Sequence, residues 1–276
     1  MPTFPYAYVA NQGGSTVTKI NLSTFATVGS ALAVGSGPYG IAVDPAGAFA
    51  YVVNQGASTV TKINLSTFLT VGSALAVGSG PYGIAIDPAG AYAYVANYSA
   101  STVTKINLST FLTVGSALAV GTNPYGIAID PAGAYAYVAN YIASTVTKIN
   151  LSTFLTVGSA LAVGSYPYGI AVDPAGAFAY VANQGASTVT KINLSTFLTV
   201  GSALAVGSYP FSIAVDPAGA YAYVTNQGGS TVTKINLSTF ATVGSALAVG
   251  SNPFSIAIGP IPYLPAATGQ PMCMVI

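Results

Sequence analysis

No histidine, arginine, glutamate or tryptophan occurs among the 276 residues, and only 4% of the chain is charged. An average soluble protein carries about 25%. Six lysines stand against five aspartates, for a net charge of +1. No basic arm or lysine cluster stands out. The phosphate-neutralising attraction behind nucleic-acid binding is missing, so no nucleic-acid partner is expected. Cys273 is the single cysteine, which excludes an intrachain disulfide and a cysteine metal cluster. Catalysis needs a group that moves a proton or attacks. Here the candidates shrink to Asp, Lys, Tyr, Ser and Cys273. Every aspartate sits in a "DPAG" turn, and no hydroxyl has a histidine to activate it. The expectation is a chain with no catalytic residue, no metal site and no cofactor.

Long apolar runs are also absent, although mean hydropathy is high at +0.64. Gly, Pro, Ser, Thr or Asn interrupts every run before the ~18 residues of a spanning helix. The runs are grouped in fours and fall short of the about 9–11-residue strands of a membrane barrel. No membrane span is expected. The opening "MPTFPYAYVAN" has neither a basic n-region nor an apolar h-region, so no signal peptide is expected.

What is present is repetition. "STVTKINLSTF" at residues 15–25 returns at 58, 101, 144, 187 and 230, and its lysines (19, 62, 105, 148, 191 and 234) are the only cationic side chains. Asn11, Asn54, Asn97, Asn140, Asn183 and Asn226 recur every 43 residues without an insertion. A period of about 40–45 residues with four strands per unit signals propeller blades. In one unit, "PYGIAVD" reads as a first strand, followed by "DPAG" with Asp, Pro and Gly where a type I turn prefers them. "AYVVN" is the second strand, "QGA" a turn, and "STVTKIN" a third strand rich in β-branched residues. "LSTF" turns again and "TVGSALAV" is the fourth. No segment shows a helical apolar period.

The repeats begin on a second strand, "YAYVAN", and end on a lone first strand, "PFSIAI" (253–258). Pairing these complementary pieces would remove the open edge of a linear stack. The expected fold is all-β: a six-bladed β-propeller, four antiparallel strands per blade, with blade 1 closed by N- and C-terminal strands. The propeller should span 1–259, leaving 260–276 as an irregular tail.

"AYVAN", "PYGIAID" and the literal "YVTN" at Tyr223–Asn226 resemble the YVTN β-propeller repeat over residues 6–258. The resemblance implies surface-layer or secreted propellers, most without known catalytic residues, and hence a secreted or cell-surface location. One departure is Lys19-Ile20-Asn21, where the family writes an apolar residue and then Ile-Asp. The copies are also unusually alike, as recent amplification or consensus design would leave them.

Alternation of strands puts all eleven charges at one end of the blades. The lysines are expected to lay their stems along a neighbouring blade and keep their ammoniums at the wet rim, as modest pairs with the aspartates or as an ionic ring for an anion. The blade with Gly259 in place of aspartate should leave one lysine unpaired. The larger chemical differences between copies gather at the opposite, uncharged end. One variable position precedes the blade-opening proline: Gly37, Gly80, Asn123, Tyr166, Tyr209 and Asn252. The other follows the invariant Asn: Gln12, Gln55, Tyr98, Tyr141, Gln184 and Gln227. Candidate ligand-binding residues are therefore Tyr98, Tyr141, Tyr166, Tyr209, Asn123 and Asn252. Tyr39, Tyr82, Tyr125, Tyr168, Phe211 and Phe254 should line a channel rim.

Tyr and Asn combine flat apolar faces with adaptable hydrogen bonding. The expected function is a non-enzymatic scaffold whose uncharged face binds a protein partner. A lectin-like module binding a glycan, and a repeat amplified or designed without a ligand, are the alternatives. So few charges also predict self-association. "NLS" at Asn21, Asn64, Asn107, Asn150, Asn193 and Asn236 matches the glycosylation triplet but reads as turn chemistry. The terminal "CMVI" has the shape of a prenylation box with an unusual last residue.

Overall fold

A computed structural model describes residues 6–258. The tail at 260–276, with Cys273, lies outside them. Among the described residues there is no helix, and so none long and apolar enough to cross a membrane. The chain forms six antiparallel sheets, the blades of a six-bladed β-propeller. It divides after Ala119 into two compact units of three sheets each.

The first sheet holds β1 (Tyr6–Asn11), β2 (Thr16–Asn21), β3 (Ala26–Thr27) and β4 (Leu32–Ala33). The second holds β5 (Pro38–Val43), β6 (Phe49–Asn54), β7 (Thr59–Asn64), β8 (Leu69–Thr70) and β9 (Leu75–Ala76). The other four repeat the second. The "DPAG" turn joins β5 to β6: Gly47 N donates to Asp44 O at 2.9 Å, and Ala48 N donates to Asp44 Oδ1 at 2.7 Å. Gly47 sits at φ +68°, which glycine tolerates without steric cost. β6 and β7 pair over their full length, from Phe49 opposite Asn64 to Asn54 opposite Thr59.

Two expectations are corrected. The fourth strand is not continuous. Leu69 pairs with Asn64 and Thr70 with Ile63, then Leu75 pairs with Val60 and Ala76 with Thr59. Residues 71–74 thus face only Thr61 and Lys62, and the surplus loops outward through Gly72 at φ +66°. The second correction concerns closure. Residues 253–258 carry no strand, and the first sheet is built of β1 to β4 alone. Every other proline-led strand pairs with the second strand that follows its own "DPAG" turn. The last copy has Gly259 in place of the turn aspartate, and its sequence departs from the repeat after Ile258.

The core is a set of joints between neighbouring sheets. Tyr8 and Val17 of the first sheet pack with Ile41, Val52, Ile63 and Leu65 of the second. Tyr180 and Val189 of the fifth pack with Ile213, Val224, Ile235 and Leu237 of the sixth. The innermost strands approach so closely that a Cβ on Gly126 would collide with the Tyr168 carbonyl oxygen. The sixth sheet has Ser212 at the matching position. There Ser212 N donates to Thr225 Oγ1 at 3.0 Å, a pair of substitutions that answer each other.

Gly126→Ala should destabilise the protein by about 1–3 kcal/mol, because the obstacle is backbone and cannot swing aside. Gly13→Ala, where a new Cβ meets nothing within 4 Å, should leave the urea midpoint unchanged. Equal midpoints for the two variants would contradict this close approach.

Candidate functional site: a tyrosine cluster on the uncharged loops

The charged end of the sheets comes first, because it differs from expectation. Lys62 is only 8% exposed. Its ammonium does not reach a wet rim. Nζ donates to the Leu108 carbonyl of the next sheet at 3.1 Å and lies 4.2 Å over the Phe49 ring of its own. Phe111 of the next sheet lies 5.8 Å away. Lys19, Lys148 and Lys191 donate in the same way to Leu65, Leu194 and Leu237. The register sets this up, since Tyr51 stands directly opposite Lys62 across the pair of strands. The ammonium therefore meets a carbonyl and ring faces rather than a carboxylate. These lysines serve as ties between sheets and do not present an anion site. The "NLS" turns behave as read: Asn64 Oδ1 accepts from Ser66 N, Ser66 Oγ and Thr67 N.

At the other end of the strands, the two variable positions are bonded together in five sheets. Gln55 N donates to Gly37 O, Tyr98 N to Gly80 O, Tyr141 N to Asn123 O, Gln184 N to Tyr166 O and Gln227 N to Tyr209 O, all within 2.8–2.9 Å. Beneath them lies the invariant asparagine. Asn54 is fully buried, with Nδ2 donating to Thr59 Oγ1 and Thr61 Oγ1 at 3.0 and 2.9 Å. Its Oδ1 has no partner, as in four other sheets.

In the first unit, Tyr98 meets Tyr82 edge-on at 5.2 Å, and Tyr82 meets Tyr39 at 4.7 Å. The second unit holds the larger cluster. Tyr141 stacks on Tyr166 at 4.9 Å and 24°, and its hydroxyl donates to Gln184 Oε1 at 3.0 Å. Tyr125, Tyr168 and Phe211 form a close row beside them, and Phe254 meets Phe211 at 4.8 Å. Tyr166 and Tyr209 are 44% and 57% exposed. Asn123 and Asn252 take the same left-handed backbone as these tyrosines, at φ 57° and 56°. Within each unit the rim aromatics touch variable tyrosines: Tyr82 meets Tyr98 in the first, and Tyr168 meets Tyr141 in the second. A shallow groove of about 330 Å³, lined by Ala162, Gly164, Thr190 and Gly201 among others, lies on a different part of this unit and contains no titratable side chain.

Burial pushes the ammonium pKa of Lys62, Lys105, Lys148 and Lys191 down, against an opposing pull from the nearest aspartate. Burial pushes the Tyr8 phenol up to about 12, and those of Tyr51, Tyr94, Tyr137 and Tyr180 up as well.

No protein-family model and no curated protein matches the chain. Solved structures do. Hydrazine synthase from Kuenenia stuttgartiensis superposes with a TM-score of 0.82 at 21% identity, over 91% of this chain and 85% of that one. A functionally unknown protein from Desulfotomaculum acetoxidans gives 0.77 at 17%, over 90% and 83%. The dihydro-heme d1 dehydrogenase NirN, in complex with DHE, gives 0.69 at 15%, over 88% of this chain and 54% of that one, so the chain spans about half of NirN. These likenesses are to the fold. They overturn the expectation of a non-enzymatic scaffold, because two of the three structures are named as enzymes. An empty acid–base inventory does not by itself exclude a part in an enzyme. Where a cofactor carries the chemistry, the protein supplies binding and orientation.

Stability should follow the pKa shifts with two limbs. Unfolded lysines hold their protons up to about 10.4. Between the depressed folded values and that point the unfolded state binds more protons, so stability rises with pH. Above about 10 the unfolded tyrosines ionise first, so stability then falls. Urea midpoints measured from pH 7 to 11 should climb and then decline. Lys62→Met with Lys191→Met should flatten the climb and spare the decline. A steady fall from pH 7 would contradict the lysine assignment.

Proposed function

We propose that the chain is a ligand-holding propeller module that serves an enzyme, and that its uncharged loops grip a flat, conjugated, uncharged molecule against tyrosine rings. Among propellers, "AYVAN" and Tyr223–Asn226 favour the YVTN repeats.

One observation carries the reading. Tyr166 and Tyr209 adopt φ 54° and 52°, a region that costs a side-chain-bearing residue about 1–2 kcal/mol. Two other copies use glycine at this position, Gly37 and Gly80, at φ 60° and 59°. A large, half-exposed ring held in strained backbone, where glycine serves elsewhere, is not something the fold requires. Ser58 and Phe68 and their counterparts take the same backbone in every copy, so what sets Tyr166 and Tyr209 apart is a half-exposed ring where other copies carry glycine or asparagine. The stacked Tyr141 and its bond to Gln184 fix one ring of the cluster in place and leave Tyr166 partly open. No lysine or aspartate lies in these loops, which favours a neutral ligand. Ring faces are what these residues present, and stacking is the chemistry they offer first.

Riboflavin is a suitable probe: planar, neutral, and quenched when stacked on tyrosine. The intact chain should quench its emission in a saturable way. Tyr166→Gly with Tyr209→Gly should weaken binding by about tenfold, in keeping with about 0.5–1.5 kcal/mol per lost ring pair. The same double variant should be as stable as the intact chain or more so, because glycine relieves the backbone. Unchanged quenching, or a marked loss of stability, would overturn the reading.

A further inference from the structure

Two tyrosines of the second unit are placed for a chemistry that holding a ligand does not use. Tyr141 follows the second strand of the fourth sheet, and Tyr166 leads into the first strand of the fifth. Their rings lie face to face, with centroids 4.9 Å apart and planes inclined by 24°. Each ring has its own support. The Tyr141 hydroxyl donates to Gln184 Oε1 at 3.0 Å. Tyr166 lies so close to Gly185 that a Cβ there would collide with its Cδ2. Tyr166 is also 44% exposed, so a small reagent can reach it.

Other aromatic residues lack part of this arrangement. Tyr125 and Tyr168 have closer centroids, at 3.5 Å, but they are tilted by 39° and are only 8% and 9% exposed. Tyr82 meets Tyr98 and Tyr39 edge-on, at 64° and 72°. Tyr209 shares the left-handed backbone of Tyr166 and has a glycine seat of its own at Gly228. It is 57% exposed, yet no ring lies against it among the described residues. Positions 43 residues apart correspond, so the place that Tyr141 takes beside Tyr166 is taken beside Tyr209 by Gln184.

We infer that Tyr141 and Tyr166 form an oxidative modification site, where a one-electron oxidant from solution couples the two rings into dityrosine. Each phenol gives one electron to the oxidant and its hydroxyl proton to water. The two phenoxyl radicals pair their electrons in a new carbon–carbon bond between ring positions ortho to the hydroxyls. The hydrogens on those two carbons then move to the oxygens as protons, which restores both aromatic rings and both hydroxyls. The oxidant takes up two electrons in all, and the product has two hydrogens fewer than the starting pair. Rings already in contact need no encounter, so coupling within the chain outruns coupling between chains. Half-exposed Tyr166 has room to slide its edge across Tyr141, and the buried Tyr125 and Tyr168 do not. The link joins the fourth sheet to the fifth covalently, at the opposite end of the strands from the tie between Lys148 and Leu194. It needs no bound ligand.

Photogenerated ruthenium(III) tris-bipyridine, a one-electron oxidant, tests this on the full chain in dilute solution. The product is then unfolded and cut after its lysines with trypsin. Peptides 106–148 and 149–191 should appear joined, two hydrogens below the sum of their masses. Fragmentation should place the link at Tyr141 and Tyr166. Tyr166→Phe should abolish the link, whereas Tyr168→Phe and Tyr209→Phe should keep it. Tyr141→Gln combined with Gln184→Tyr should move it one copy along, joining 149–191 to 192–234. Circular dichroism should show every variant folded. A wild type that stays unlinked would sink the assignment. So would a link found at Tyr125 and Tyr168 instead, a link that persists in Tyr166→Phe, or a folded double variant in which the link does not move.

Discussion

Inside each unit, the joints between neighbouring sheets turn on one buried ammonium each. A lysine taken out of water needs compensation, and in this chain it comes from a carbonyl of the next sheet and the faces of aromatic rings. Cation–π contacts are worth about 2 kcal/mol or more once desolvated. The carbonyl is free to accept because the "LSTF" turn leaves the leucine C=O pointing at the preceding sheet. The turn, the leucine's burial and the lysine's position two residues before the strand's end are therefore one device. This explains why the phrase "STVTKINLSTF" is copied whole. Losing the leucine carbonyl or the rings from the joint would leave a charge there without a partner.

The aspartates have a separate task. Asp44 spends its carboxylate on Ala48 N within its own turn, and it acts on Lys62 only through its field. The chain thus keeps its two kinds of charge close without pairing them directly. The opposite ends of the strands are neutral, and there the copies diverge. The geometry separates an unvarying mechanical end from a variable chemical end within each sheet.

Much of this was legible in the letters. The period, the "DPAG" and "NLS" turns and the pairing of second and third strands follow from local rules that hold in the structure. The adjacency of the two variable positions followed from strand alternation alone. Three things did not. "TVGSALAV" reads as one apolar strand, and only the register of its partner reveals two surplus residues. The lysine reads as a surface charge, because the sequence does not show that an aromatic stands opposite it and that the next sheet supplies a carbonyl. The strain at Tyr166 and Tyr209 was in principle visible, since Gly, Asn and Tyr alternate at one position. Glycine and asparagine are the residues that tolerate a left-handed backbone, so tyrosine in that series was the signal. A count of proton donors is a weak guide to whether a chain serves an enzyme, because it leaves out the chemistry that a bound group can bring.

The burial of the lysines has one more consequence. A protease that cuts after lysine or arginine finds only six candidate bonds in the chain, and five of those lysines are 8–9% exposed. Each bond lies within a paired strand. Digestion of the native protein is thus gated by the parting of sheets, and its rate measures how often a joint opens. Lys234, the half-buried one, marks where that digestion begins. A complete digest would release a ladder of nearly identical 43-residue peptides, each running from one lysine to the next.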